Sequence, residues 1–129
     1  MSGKPVFFSA QKTDGSGDIS GVLTFNQVEG SGFDGATGKF HTPEAGTYGF
    51  HFSGLTGNEL SEFRLHVFKD GRKHHDIYDG NHQSVYNNVG GSWTFKLHKG
   101  EEVYLEVVAG SLRTTPYQDI VHFTGQLLG

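Results

Sequence analysis

Apolar and polar residues alternate along most of this chain, and a period of two marks strands that bury one face. The alternation is plainest within residues 38–55 (GKFHTPEAGTYGFHFSGL), beyond a Pro43-Glu44-Ala45-Gly46 bend. There Tyr48, Phe50 and Phe52 interleave with Gly49, His51 and Ser53. Three rings on one strand face need a second layer opposite them, so this strand is expected at the centre of a packed β core. Residues 6–10 read as a first strand, 11–21 as a polar loop, 22–28 as a second strand and 30–38 as a turn region. Residues 60–69 fit a helix through Leu60, Phe63 and Val67, and a strand through Phe63, Leu65 and Val67. Asp70-Gly71 decides for the strand, because Asp-Gly tolerates the positive φ angles of a two-residue hairpin and 72–78 supplies the return. Residues 79–91 form a long polar connection. Trp93, Phe95 and Leu97 alternate before Lys99-Gly100, and Val103, Leu105 and Val107 after it, so 93–97 and 103–108 read as a second hairpin. A strand over 121–128 closes the chain. The pattern predicts one all-β domain over residues 1–129, about ten short strands in a β-sandwich or jelly roll, with residues 1–4 as a leader.

Composition sharpens this picture. Hydrophobic residues make up only 34% of the 129, yet 13% are aromatic and eleven are Phe, so a few large rings supply most of the core. Twenty glycines argue for short strands and many turns rather than long helices. The formal net charge of −4, with Lys and Arg scattered, gives no basic field for nucleic acid. No apolar run approaches the ~20 residues of a membrane helix, and the apolar part of MSGKPVFFSA is too short for a signal peptide. The absence of Cys excludes a disulfide scaffold and thiol chemistry.

Candidate chemistry is sparse. There is no nucleophile elbow, Ser9, Ser53 and Ser92 have no sequence cue for a His partner, and Glu101-Glu102 follow a turn glycine as solvent-facing charges. The chain is therefore not expected to be an enzyme. Gly30-Ser31-Gly32-Phe33-Asp34-Gly35 spells a dinucleotide fingerprint, but strands rather than a helix follow it, and the glycines read as turn residues. Eight histidines show no zinc-type spacing, and His74-His75, adjacent on a strand, face opposite ways.

Several short stretches resemble one family. Phe8-Ser9-Ala10, Gly38-Lys39-Phe40 with Pro43, Gly46-Thr47-Tyr48-Gly49-Phe50, Lys99-Gly100-Glu101-Glu102-Val103 and the closing Phe123-Thr124-Gly125-Gln126-Leu127-Leu128 resemble, in order, the globular head of the complement C1q family. The closing Phe-x-Gly-x-Leu-Leu favours this family over its tumour-necrosis-factor cousins. The resemblance implies a ten-strand jelly roll that assembles as a tight homotrimer, is secreted, and recognises ligands on the trimer's outer surfaces and top. Stalkless heads of this kind are common among invertebrate innate-immune proteins, many of them lectins. The expected role is thus pattern recognition of a glycan or pathogen-surface ligand, with no required cofactor and no membrane insertion. A cytokine- or hormone-like ligand for a protein receptor, and a structural trimerisation unit, are the alternatives.

Site residues follow from loop chemistry and from the resemblance together. In some collagen-tailed hormone members acidic residues at the places of Asp79 and Asn87 hold calcium; here one of the two is an amide, and an ordinary polar loop is the alternative. Tyr78, Asn81, His82, Tyr86, Arg113 and Tyr117 offer rings and planar hydrogen-bonding groups for a ligand. Phe68, Tyr104 and Val108 lie opposite the inferred core, an apolar set that reads either as scattered surface residues or as the trimer interface. The resemblance favours the interface, with His66 between these positions, so that its protonation in three copies would loosen the trimer in mild acid.

Overall fold

Burying alternate side chains rather than apolar runs decides where each strand lies. A computed structural model describes residues 5–14, 17–57, 62–80, 87–114 and 120–129. It shows eleven strands and no helix among them: β1 (Phe7–Lys12), β2 (Gly17–Val22), β3 (Gln27–Gly30), β4 (Phe33–Asp34), β5 (Lys39–His41), β6 (Gly46–Leu55), β7 (Phe63–Lys69), β8 (Arg72–Asp79), β9 (Asn88–Leu97), β10 (Glu102–Thr114) and β11 (Val121–Leu127). All pair antiparallel. One sheet runs β3-β1-β11-β6-β9; the other runs β4-β5-β10-β7-β8, with β2 also on β10. The fold is the jelly-roll sandwich expected; the two-residue β4 is the strand beyond ten.

The two sheets meet on rings. Tyr48, Phe50 and Phe52 are buried as the alternation requires, facing Phe40, Leu65, Val103 and Leu105 from the other sheet. Phe123 of β11 lies 5.1 Å from Phe8 in an edge-on contact and about as close to Phe33 and Phe50. Gly125 follows two residues on, where a Cβ would stand 2.5 Å from the Phe8 ring. The closing motif is thus a packing rule: ring, gap for a neighbour's ring, then Leu127. Tyr48 is fully buried, its hydroxyl donating to the Glu44 carbonyl at 2.6 Å. Burial pushes its phenol above the usual value, an effect the hydrogen bond to Glu44 partly offsets.

Three expectations change. The polar stretch 11–21 contains β2, an outer strand held through its backbone to β10, with Ile19 opposite Leu112 and Val22 opposite Glu106. Residues 22–28 are not one strand. They leave the six-stranded sheet after Val22 and enter the five-stranded sheet at Gln27, with Leu23 and Phe25 buried in the crossing. The second hairpin is also absent: β9 pairs with β6 along its whole length, whereas β10 pairs with β7, β5 and β2. Residues 98–101 step between layers, held by Gly100 donating to Thr42 and Thr42 to Glu101. Alternation reports that a face is buried but not whether the next strand lies beside it or across the core. The Asp70-Gly71 hairpin forms as expected, with φ of 51° and 85°.

Candidate functional site

Because the strands alternate, each sheet has an outer face that the core does not use, and the two differ in chemistry. On the six-stranded sheet β7 turns Arg64, His66 and Phe68 outward, β10 turns out Tyr104 and Glu106, and β8 turns out Asp76 and Tyr78. A register shift between Val67 and Phe68 brings Lys73 opposite Phe68 on the same face. The Arg64 guanidinium lies 4.5 Å over the Tyr78 ring, whose hydroxyl donates to Glu62 at 3.1 Å. Asp76 gathers two cationic groups, Lys73 at 3.3 Å and Arg64 at 3.5 Å, and the His66 imidazole at 3.4 Å. Phe68 and Tyr104 stack on each other at 4.9 Å and 6°, with the Lys39 ammonium 5.3 Å over Tyr104.

The residues expected at a trimer interface lie on β7 and β10. Phe68 and Tyr104 do lie opposite the core, but each is half-buried by the other and ringed by charge. Val108, 42% exposed, stands beside the irregularity in β10. His66 Nε2 faces the Asp76 carboxylate at 3.4 Å.

Of the ligand-binding candidates, Tyr78 joins the Arg64–Asp76 group, and Arg113 pairs with Asp18 at 3.8 Å on the β2–β10 ladder. Asn81, His82, Tyr86 and Tyr117 lie outside the described residues. Asn87 donates its side-chain nitrogen to Asp79 Oδ2 at 3.4 Å, and its backbone is tied to Thr56. Calcium takes six to eight oxygens, and the pair presents one carboxylate already engaged by an amide N–H. No group of three or more His, Cys, Asp or Glu among the described residues is placed to hold a metal ion. These residues do not fit a calcium shell. Millimolar calcium or a chelator is accordingly expected to leave Tm within about 1 °C, measured by differential scanning fluorimetry; a rise of several degrees would contradict this.

The outer face of the five-stranded sheet is different. It holds a hollow of about 710 Å³. Gly49 leaves out a side chain on this outward face, and Phe7 and Leu128 stand exposed at the rim. Polar residues line it too, but no Asp, Glu, Lys or Arg. His51 Nδ1 lies 2.9 Å from Ser92 Oγ, strands β6 and β9 holding the two directly opposite. Sequence reasoning left Ser92 without a partner because nothing in the sequence says that β6 and β9 are neighbours. An imidazole beside a hydroxyl is the start of a nucleophile, but no carboxylate lines the hollow to orient it.

Comparison with known proteins bears on the family and the fold. The C1q domain family model matches residues 6–128. The chain is 30% identical over 125 residues to complement C1q tumor necrosis factor-related protein 3 of Homo sapiens, and equally to that of Mus musculus. These alignments cover 95% of this chain and 50% of each relative, so the chain spans about half the length of the curated relatives it matches. Among solved structures, the globular domain of zebrafish complement 1qA protein superposes with a TM-score of 0.76 at 25% identity, covering 98% of both chains. Murine APRIL at pH 5.0 superposes at 0.74, covering 97% of this chain and 100% of its own, but at 14% identity this concerns the fold alone. With its two sheets, its closing Phe-x-Gly-x-Leu-Leu and this match along nearly its whole length, the chain belongs to the C1q domain family.

Proposed function

We propose that this C1q domain is a non-catalytic, extracellular recognition module that assembles as a homotrimer and binds glycans on the outer face of its six-stranded sheet. The observation that carries the reading is the group formed by Tyr78, Arg64 and Asp76. Tyr78 is 52% exposed, and beside its ring stand a guanidinium and a carboxylate. A sugar ring presents an apolar C–H face to an aromatic and paired hydroxyls to planar donors and acceptors, which is what this group offers. Positive and negative side chains are interspersed here, which suits a neutral, hydroxyl-rich ligand better than a polyanion.

Single-site contacts of this kind are weak, and three equivalent sites gain by effective concentration. The assembly that supplies them is proposed to close over the hollow. Interface cores are depleted in charge, and no carboxylate, ammonium or guanidinium lines the hollow, whereas the opposite outer face carries Arg64, Lys73 and Asp76. A glycan array followed by titration tests the reading. Tyr78→Ala and Arg64→Ala are each expected to weaken binding at least about tenfold, with the mass by light scattering unchanged. Undiminished binding by both variants overturns this site. An intact trimer with no glycan on the array would favour a structural or receptor-binding role instead.

A further inference from the structure

The histidines of this domain meet different partners. His41 and His66 each face a carboxylate, Glu102 at 3.3 Å and Asp76 at 3.4 Å. His51 faces a hydroxyl. It sits exposed in the lining of the hollow, with Ser92 opposite on β9 and Thr124 opposite on β11. The titratable groups on the same sheet face are few. On β6 itself only Gly49 and Ser53 flank His51. On β9, Lys96 comes after Thr94; on β11, His122 stands opposite Ser53. Among the described residues the nearest acid on this face is Glu29 of β3, opposite Ser9, three strand spacings or roughly 14 Å from His51. The closer neighbours are therefore neutral or basic.

We propose that contact between copies through the hollow requires neutral His51, so that the assembly is released by mild acid. This deepens the trimer reading above and rests on it. Closing the hollow removes His51 from water. A neutral imidazole keeps its hydrogen bond with Ser92 and costs little, whereas an imidazolium would be desolvated without a counter-charge. Lys96 and His122 would add to the penalty, and so would His51 of the other copies wherever they approach one another. Separated copies therefore take up protons that assembled copies refuse. By linkage the contact is full-strength where the imidazole is neutral and weakens as pH falls.

The experiment compares the mass of the full chain by sedimentation at about pH 7.5 and about pH 5, at fixed salt, for wild type, His51→Gln and His66→Gln. Wild type is expected to be trimeric at the higher pH, with the concentration for half-assembly rising at least about tenfold at the lower. His51→Gln keeps a partner for Ser92 and cannot take the proton, so it should remain assembled at both; His66→Gln should loosen like wild type. Equal wild-type assembly at both pH values, or acid loosening of His51→Gln matching wild type, overturns the role of His51 and leaves the trimer standing. A wild type that is monomeric at the higher pH overturns the trimer reading itself. If His51→Gln does not assemble, His51→Thr repeats the test with a hydroxyl like its neighbours', and failure of both to assemble at the higher pH counts against the proposal.

Discussion

Phe123→Ala is expected to cost about 3–5 kcal/mol of folding stability and to lower Tm by about 10–20 °C. The residue has no exposed surface and lies where the two sheets' rings converge. Phe8 and Phe33 meet it edge-on at 5.1 and 5.8 Å, and Phe50 and Trp93 stack at 6.0 and 6.1 Å. Removing the ring therefore opens a space bounded by other rings. Neighbours held by their own strand ladders collapse poorly into such a space, and that pushes the cost toward the upper end of the range. Phe7→Ala is the control: 41% exposed at the rim of the hollow, Phe7 should cost under about 1 kcal/mol. Urea denaturation at equal protein concentration makes the comparison, since assembly would otherwise alter the apparent stability. Equal midpoints for the two variants would show that the core does not turn on Phe123.

How much of this was legible beforehand depends on what a period of two encodes. It reports which side chains face inward, so Tyr48, Phe50, Phe52, Leu65 and Leu105 were placed correctly from alternation alone. It does not report which strands are neighbours. The Trp93–Leu97 and Val103–Val107 runs alternate equally well, and both bury a face, but in different sheets. The crossing through Leu23 and Phe25 imitates a strand because both residues must point inward as the chain changes layer. The same blindness hid the His51–Ser92 couple, which exists only because β6 and β9 are adjacent. It also made Phe68 and Tyr104 look like a bare apolar patch. Their mutual stacking, and the side chains brought to Asp76 from three positions on β7 and β8, depend on cross-strand register that alternation does not carry.

Gly49→Lys is expected to convert the assembly into single, folded chains, weakening the contact between copies at least about a hundredfold. Gly49 lies on the outward face of β6 within the hollow, and its φ is not in the left-handed region, so the backbone accepts a side chain. The atoms nearest to a Cβ there belong to Leu128, whose methyl groups stand 3.3 and 3.7 Å away. Leu128 is 54% exposed and free to turn aside, so the domain itself should fold. Between copies the lysine acts twice: its stem fills the space a partner must enter, and its ammonium is stranded in a surface whose lining offers no carboxylate. Val108→Lys and Tyr104→Asp place charge instead on the six-stranded face, where the sequence pattern together with the family resemblance would put the interface. Light scattering separates the two geometries. Single chains from Gly49→Lys with intact trimers from the other two locate the contact in the hollow. The reverse result would return it to Phe68, Tyr104 and Val108, and would move the glycan site off that face, because one surface cannot be both buried against a sister chain and open to a sugar.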